Sequence, residues 1–188
     1  IFPTIGQNNN RGYFFQNGGY YIAPSDYYDL TFLIDYYTNG SYGMRLESAY
    51  KKRYSFNGKI ALRFENLIDG ERGLPGYSKS NIYNFRWTHS QDSKANPGSR
   101  FSASVNLGSS DYFRESLNQI NSPNFLNNTL NSSVSYSKRF KGYPAANLSV
   151  TASHSQNTRS KSVNLVLPTL QGSFERIYPF VKRNGQKK

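Results

Sequence analysis

Tyr42-Gly43-Met44-Arg45-Leu46-Glu47-Ser48-Ala49-Tyr50-Lys51 is the stretch on which the fold turns. Tyr42, Met44, Leu46 and Tyr50 are apolar, and Arg45, Glu47, Ala49 and Lys51 stand between them. Successive side chains of a strand point to opposite faces, so this stretch is a β-strand with one apolar and one charged face. The pattern recurs downstream. Ile60, Leu62 and Phe64 alternate with Lys59, Arg63 and Glu65, and Tyr83, Phe85 and Trp87 with Asn84, Arg86 and Thr88. Phe101, Ala103, Val105 and Leu107 form another apolar row, as do Leu130, Val134 and Tyr136, and Leu148, Val150 and Ala152. Between them the polar row is rich in Ser, Thr and Asn.

Upstream, Tyr13 to Ile22 and Asp29 to Tyr37 read as two strands joined at Ala23-Pro24-Ser25-Asp26, the second carrying Leu30, Phe32, Ile34 and Tyr36 in its apolar row. Thr38-Asn39-Gly40 carries the Asn-Gly signal of a tight hairpin. Longer polar connections are expected at Ile68 to Ser80, Gln91 to Ser99 and Gly108 to Asn128. A weaker strand, Val163 to Leu167, is expected to end at Pro168, and the basic tail 182–188 to be mobile. The whole of 1–188 reads as one unit of consecutive antiparallel hairpins.

Composition supports an all-β fold. The 188 residues include 16 Tyr, 13 Phe, 25 Ser and 21 Asn, a mixture that suits strands and disfavours both helical bundles and disordered chains. No run approaches ~18 consecutive apolar residues, which removes a membrane-spanning helix, but a transmembrane barrel crosses lipid with alternating strands and is untouched by that test. The opening Ile1-Phe2-Pro3-Thr4 has neither a charged n-region nor an h-region, and the chain is expected to be a piece of something longer.

The alternation fits either a soluble sandwich or an outer-membrane barrel with its apolar rows toward lipid. Aromatic pairs near strand ends, such as Tyr20-Tyr21, Tyr27-Tyr28, Tyr36-Tyr37 and Tyr54 with Phe56, favour the barrel, because interfacial girdles need them there. In that case Asp29, Asp35, Arg45, Glu47, Lys59, Arg63 and Glu65 line the lumen. Arg at Leu62 should then be destabilising, and Ser at Arg63 tolerated.

Little points to catalysis. There is no Cys, and the two histidines, His89 and His154, lie in different strands without carboxylates at ligand spacing, so neither an enzyme nor a metal or other cofactor is expected. The net charge of +12 has no nucleic-acid-binding module to carry it. Lys51, Lys52 and Arg53, beside Tyr54 at a strand end, are candidates for lipid-headgroup contact, with a solvated turn as the plain alternative.

Several stretches together resemble the barrel of the lipopolysaccharide-assembly family LptD. They are Ile1-Phe2-Pro3-Thr4, Arg11-Gly12-Tyr13-Phe14, Tyr20-Tyr21-Ile22-Ala23-Pro24, Asp29-Leu30-Thr31, Tyr37 to Gly43, Trp87-Thr88-His89-Ser90 and Ser110-Asp111-Tyr112-Phe113. The resemblance covers most of Ile1 to Phe140. It implies the first part of an antiparallel transmembrane β-barrel in the cell outer membrane, acting as a translocon without covalent chemistry. The partners it implies are lipopolysaccharide, an LptE-like plug lipoprotein, periplasmic Lpt bridge proteins, the barrel-assembly machinery and outer-membrane lipid. It also implies a lateral gate at the barrel seam, with Gly12, Tyr13, Gly18, Gly19, Tyr20 and Pro24 on the gate strand at one sheet edge. The chain departs from the full family in lacking the jellyroll, the final strands and the cysteines. A small eight-stranded pore or adhesin and a soluble polysaccharide-binding sandwich are the competing readings.

Overall fold

The computed structural model describes residues 1–117, 129–141 and 145–176. Ten strands lie in one antiparallel sheet in chain order: β1 (Thr4–Asn8), β2 (Gly12–Ser25), β3 (Tyr28–Tyr37), β4 (Tyr42–Lys52), β5 (Phe56–Asp69), β6 (Ser78–Gln91), β7 (Ser99–Gly108), β8 (Thr129–Phe140), β9 (Ala146–Asn157) and β10 (Ser162–Phe174). A short helix, α1 (Tyr112–Glu115), sits in the β7–β8 connection. There is no second sheet among the described residues, and β1 does not pair with β10, so the sheet is an open section of a barrel wall. Neither the sandwich nor a closed eight-stranded barrel describes it.

Register confirms the faces read from period two. Phe32 faces Leu46, Leu46 faces Leu62, Leu62 faces Phe85 and Phe85 faces Leu107, a row running unbroken across five strands. Its neighbour holds Ile34, Met44, Phe64 and Tyr83. Ile34, Met44, Leu62, Phe64, Tyr83 and Leu107 are all exposed. On the opposite face the register lines up Leu33, Arg45, Arg63 and Asn84.

Several boundaries differ from the sequence reading. The sheet edge is not Gly12 to Ile22: β1 pairs outside it from Thr4 opposite Gln16 to Asn8 opposite Gly12. β2 also runs on to Ser25, because Ala23-Pro24 forms a bulge opposite Asp29, a place where proline's missing N–H costs no ladder bond. Pro168 is accommodated in the same way. It sits with Leu167 in a bulge opposite Ala152, so β10 does not end there but continues to Phe174. Asn-Gly is the centre of a four-residue loop, Thr38 to Ser41, closed by Tyr37 N donating to Ser41 O at 2.9 Å. Leu130, expected in the apolar row with Val134, is instead fully buried in a cluster with Leu67, Ile82 and Tyr112. The tail 182–188 and the end of the edge segment Phe174 to Phe180 lie outside the described residues.

Candidate lumen face and seam

The polar face concentrates its charge where β2 to β6 meet the β7–β8 connection. Asp35 and Glu65, each 1% exposed, are its two buried carboxylates, and both share a row with Gly43, which sits between them in the register. Gly43 has no side chain to fill the gap, so the carboxylates look across it at one another. Each has its own arginine. Arg45 lies 3.5 Å from Asp35, and Arg63 Nε 3.3 Å from Glu65.

Backbone irregularity completes the first pair. Gln16 and Asn17 together oppose Asp35, a two-for-one bulge with Asn17 in the left-handed region at φ 58°. The Asn17 N–H is thereby turned onto the Asp35 carboxylate at 2.7 Å, and Arg45 donates to the Asn17 side chain. Gln16 reaches the Tyr37 hydroxyl from the same bulge. Three strands are thus stitched by one carboxylate.

The second pair holds the connection after β7. Ser116 Oγ donates to Glu65 at 3.0 Å and Leu117 N donates to it at 3.1 Å, while Arg63 donates to Ser116 Oγ at 3.4 Å. Tyr112 is buried, and its hydroxyl accepts from Arg86 at 3.2 Å. Arg86 in turn bonds Asn84, and Asn84 donates to Asn106 at 2.9 Å. Residues 109–117 therefore lie across the polar face. Beside them a cavity of about 240 Å3 is lined by Arg45, Glu47, Arg63, Asn84, Arg86 and Tyr112.

Of the residues read as lumen-facing, Asp35, Arg45, Glu47, Arg63 and Glu65 come together here. Asp29 does not join them: its carboxylate accepts the Ala49 N–H at 2.7 Å and patches the β3–β4 ladder. Lys59 is exposed, further along the face opposite Ala49 and Thr88. Arg63 is no dispensable lumen cation, since Glu65 would be stranded without it, and the expected tolerance of Ser at Arg63 is corrected accordingly. Asn17, Ser116 and Tyr112 escaped the sequence reading. Asn17 is placed by a bulge that strict alternation hides, and the other two by a loop fold without periodicity.

At the β1 edge of the sheet, β1 covers only half of β2. Beyond it Ile1 forms one further pair of bonds, its backbone N donating to Gly19 O at 2.8 Å and Gly19 N donating to Ile1 O at 3.3 Å. Gly12 turns the β1–β2 hairpin at φ 77°, and Tyr13 is exposed. Gly19 is required by close approach, because a Cβ there would collide with the Phe32 carbonyl. Gly18 lies under the Phe15 ring. Tyr20 faces Phe32 on β3 and is exposed, as is Pro24. From Tyr20 to Ser25 no described strand pairs on the outer side of β2.

Lys51, Lys52 and Arg53 are exposed at the β4–β5 turn, with Arg53 4.8 Å from the centre of the Tyr54 ring. On the apolar face just inside that turn lies an aromatic group of Tyr50, Phe56, Trp87, His89 and Phe101. Trp87 Nε1 donates to Tyr50 Oη at 2.9 Å, and His89 Nδ1 is 2.8 Å from the same oxygen. His89 is thus held as an aromatic member of this group.

A family model described as LptD protein matches residues 1–188. No curated protein and no solved structure matches the chain.

Proposed function

The chain belongs to the LptD protein family, whose members serve lipopolysaccharide transport and assembly at the outer membrane, and from that membership we propose that its sheet is part of the wall of a lateral-gate translocon. The observation that carries this reading is the pair of faces. Apolar rows stand exposed and in register across one side of a single sheet, and a buried ionic network covers the other. An exposed apolar face of that extent belongs against lipid, and the charged face against a hydrated lumen.

Loop lengths support one orientation of the sheet. The connections after β2, β4, β6 and β8 leave 2, 3, 7 and 5 residues between strands, and those after β1, β3, β5, β7 and β9 leave 3, 4, 8, 20 and 4. Outer-membrane barrels keep short turns on the periplasmic side, and the one long connection, after β7, supports taking the former end as periplasmic. Lys51, Lys52 and Arg53 then meet anionic headgroups at that interface, above the Tyr50–Trp87 aromatic group. The lumen face receives an LptE-like plug lipoprotein, the periplasmic Lpt bridge delivers lipopolysaccharide, and the barrel-assembly machinery inserts the barrel.

The gate in this reading is β1 together with the half of β2 from Tyr20 to Ser25. No described strand pairs with the outer side of that half, and the reading places a partner strand there, since lipid tolerates no unpaired edge. Its contact with the closing strand is the one that opens. The test is a pair of cross-links in the full-length protein, one joining a cysteine at Tyr20 to the closing strand and one joining it to a cysteine at Phe32, its neighbour in the register. The first should stop lipopolysaccharide reaching the surface with the barrel still folded, and the second should leave delivery intact. Equal delivery with both would remove the gate from this segment.

A further inference from the structure

Gly58 lets a side chain cross β5 on the apolar face. It lies between Tyr50 and His89 in the register, and a Cβ there would collide with the Tyr50 ring, so glycine allows that ring to pass over β5 and its hydroxyl to reach His89 Nδ1 at 2.8 Å. The same oxygen accepts from Trp87 Nε1 at 2.9 Å. With that bond made, the Tyr50 proton finds an acceptor among the described residues only at Nδ1, which puts the hydrogen of the neutral histidine on Nε2. Protonation of the ring leaves Nε2–H in place. Nε2 has no hydrogen-bond partner among the described residues and is not sealed in the interior. Tyr50, Phe56, Trp87 and Phe101 hold the imidazole, their ring centroids 5.2 to 6.1 Å from its own. A fixed donor therefore stands on the face assigned to lipid, where a polar group is costly unless it is paired.

Cations adjoin this donor toward the β4–β5 turn. Lys52 is two residues beyond Tyr50 on the same face, opposite Phe56, and is exposed. There its stem covers apolar surface while its ammonium stays at the interface. A cavity of about 400 Å3 lies at that turn, lined by Lys51, Lys52, Arg53, Phe56 and Asp92 among others, and Phe56 joins it to the ring group. Three cations thus meet one carboxylate, and Asp92 already accepts the Lys94 N–H at 2.9 Å. None of the three cations has an ion-pair partner among the described residues. A free phosphate would leave the rings unused. An ammonium-bearing head group would set its charge among three others with no free carboxylate to meet it. The matching ligand is an anion joined directly to apolar chains.

We propose that this corner of the sheet holds one molecule of an anionic glycerophospholipid, its phosphate between Lys52 and His89 Nε2, its glycerol head group in the cavity beside Arg53, and its acyl chains along Trp87 and the apolar rows beyond. β4 and β6 lie about 10 Å apart across β5, a gap that the reach of a lysine and a phosphate group together span. The proposal deepens the headgroup contact of the translocon reading and rests on that reading's assignment of the apolar face to lipid.

The test is native mass spectrometry of the full-length protein in detergent, titrated with phosphatidylglycerol, phosphatidylethanolamine and glycerol 3-phosphate. One phosphatidylglycerol should be retained per protein in preference to phosphatidylethanolamine, and glycerol 3-phosphate should not displace it. Lys52→Gln should weaken retention by about tenfold, as expected for a lost charge-assisted contact. His89→Phe keeps a ring in the group but removes the donor, and should weaken retention with heat-modifiable gel migration unchanged. Lys138 supplies the control: it lies on the same face at the same end, opposite Ser99 and Leu148 and 5.0 Å from the Phe140 ring centre, away from the Tyr50–His89 pair. Lys138→Gln should leave retention unchanged. No retained phosphatidylglycerol, equal retention of phosphatidylethanolamine, displacement by glycerol 3-phosphate, or a loss with Lys138→Gln as large as with Lys52→Gln would overturn the site. If the face assignment itself fails, Leu62→Arg is tolerated; if the lipid site alone fails, Leu62→Arg still destabilises while no lipid is retained.

Discussion

Leu62→Arg and Ala61→Arg place the same side chain on opposite faces of β5, one residue apart. β5 spans 14 residues with Leu62 seventh. At about 3.3 Å per residue and a tilt near 40°, such a strand covers roughly 35 Å along the membrane normal, enough to cross the hydrocarbon and put Leu62 close to its midplane. Leu62 is exposed in the centre of the five-strand apolar row, so an arginine there meets lipid, with no lumen to reach. The expected cost is about 2–4 kcal/mol. Ala61 faces Glu47 on one side and Arg86 on the other, beside the polar cavity. An arginine there finds water and Glu47, with Arg86 across the register and Arg45 and Arg63 also on the cavity wall, and in that hydrated setting should shift stability by less than about 1 kcal/mol. Equilibrium urea unfolding of the full-length barrel in lipid vesicles measures both. Equal losses, or a tolerated Leu62→Arg, would mean that the faces have been assigned to the wrong solvents.

Arg63→Ser should cost about 3–5 kcal/mol by the same unfolding assay, because it leaves Glu65 buried and unpaired, and adding Glu65→Gln should restore most of the loss. Gly58 sits between Tyr50 and His89 in the register, and a Cβ there would collide with the Tyr50 ring, so Gly58→Val should displace that ring and destabilise by about 1–3 kcal/mol. The accompanying change in Trp87 fluorescence would follow from loss of its bond to Tyr50, and an unchanged spectrum would count against the aromatic group. Tyr112→Ala should loosen residues 109–117 from the polar face and admit larger solutes, read as greater single-channel conductance or higher sensitivity of cells to bulky antibiotics.

The faces were legible in the sequence because a strand's side-chain period is two and one register fixes an entire row. Tyr42 to Lys51 is enough to sort Arg45 from Leu46, and β5 and β6 repeat the answer. Legibility failed wherever the period broke. Two bulges in β2 carry Asn17 and Pro24, and both disguise how far that strand runs and where the sheet's true edge lies. β1 is only five residues long, too short to announce itself among Asn and Gly. The role of Ser116 depends on where a 20-residue connection comes to rest, which no local pattern encodes.

The placement of that connection follows from an inversion of the usual core. The buried apolar cluster is small: Leu67, Ile82, Tyr112 and Leu130, with Leu117 packed against it. Asp35 and Glu65, each 1% exposed, are buried about as deeply as these, and Asn84 and Asn66 nearly so. A sheet whose apolar face meets lipid gains no preference there for one loop position over another, since lipid wets the whole face alike. Discrimination has to come from the polar side, where a buried group left unbonded costs about 1–3 kcal/mol and more if charged. Glu65 is satisfied only with Ser116 and Leu117 brought to it and Arg63 beside it. Asp35 accepts from the Asn17 bulge and pairs with Arg45. The two carboxylates that sequence reading took as lumen charges therefore act as fasteners, one fixing the bulge of β2 and the other drawing the β7–β8 connection inward. Lys59 and Arg100 are left as exposed cations of the polar face outside these fastenings.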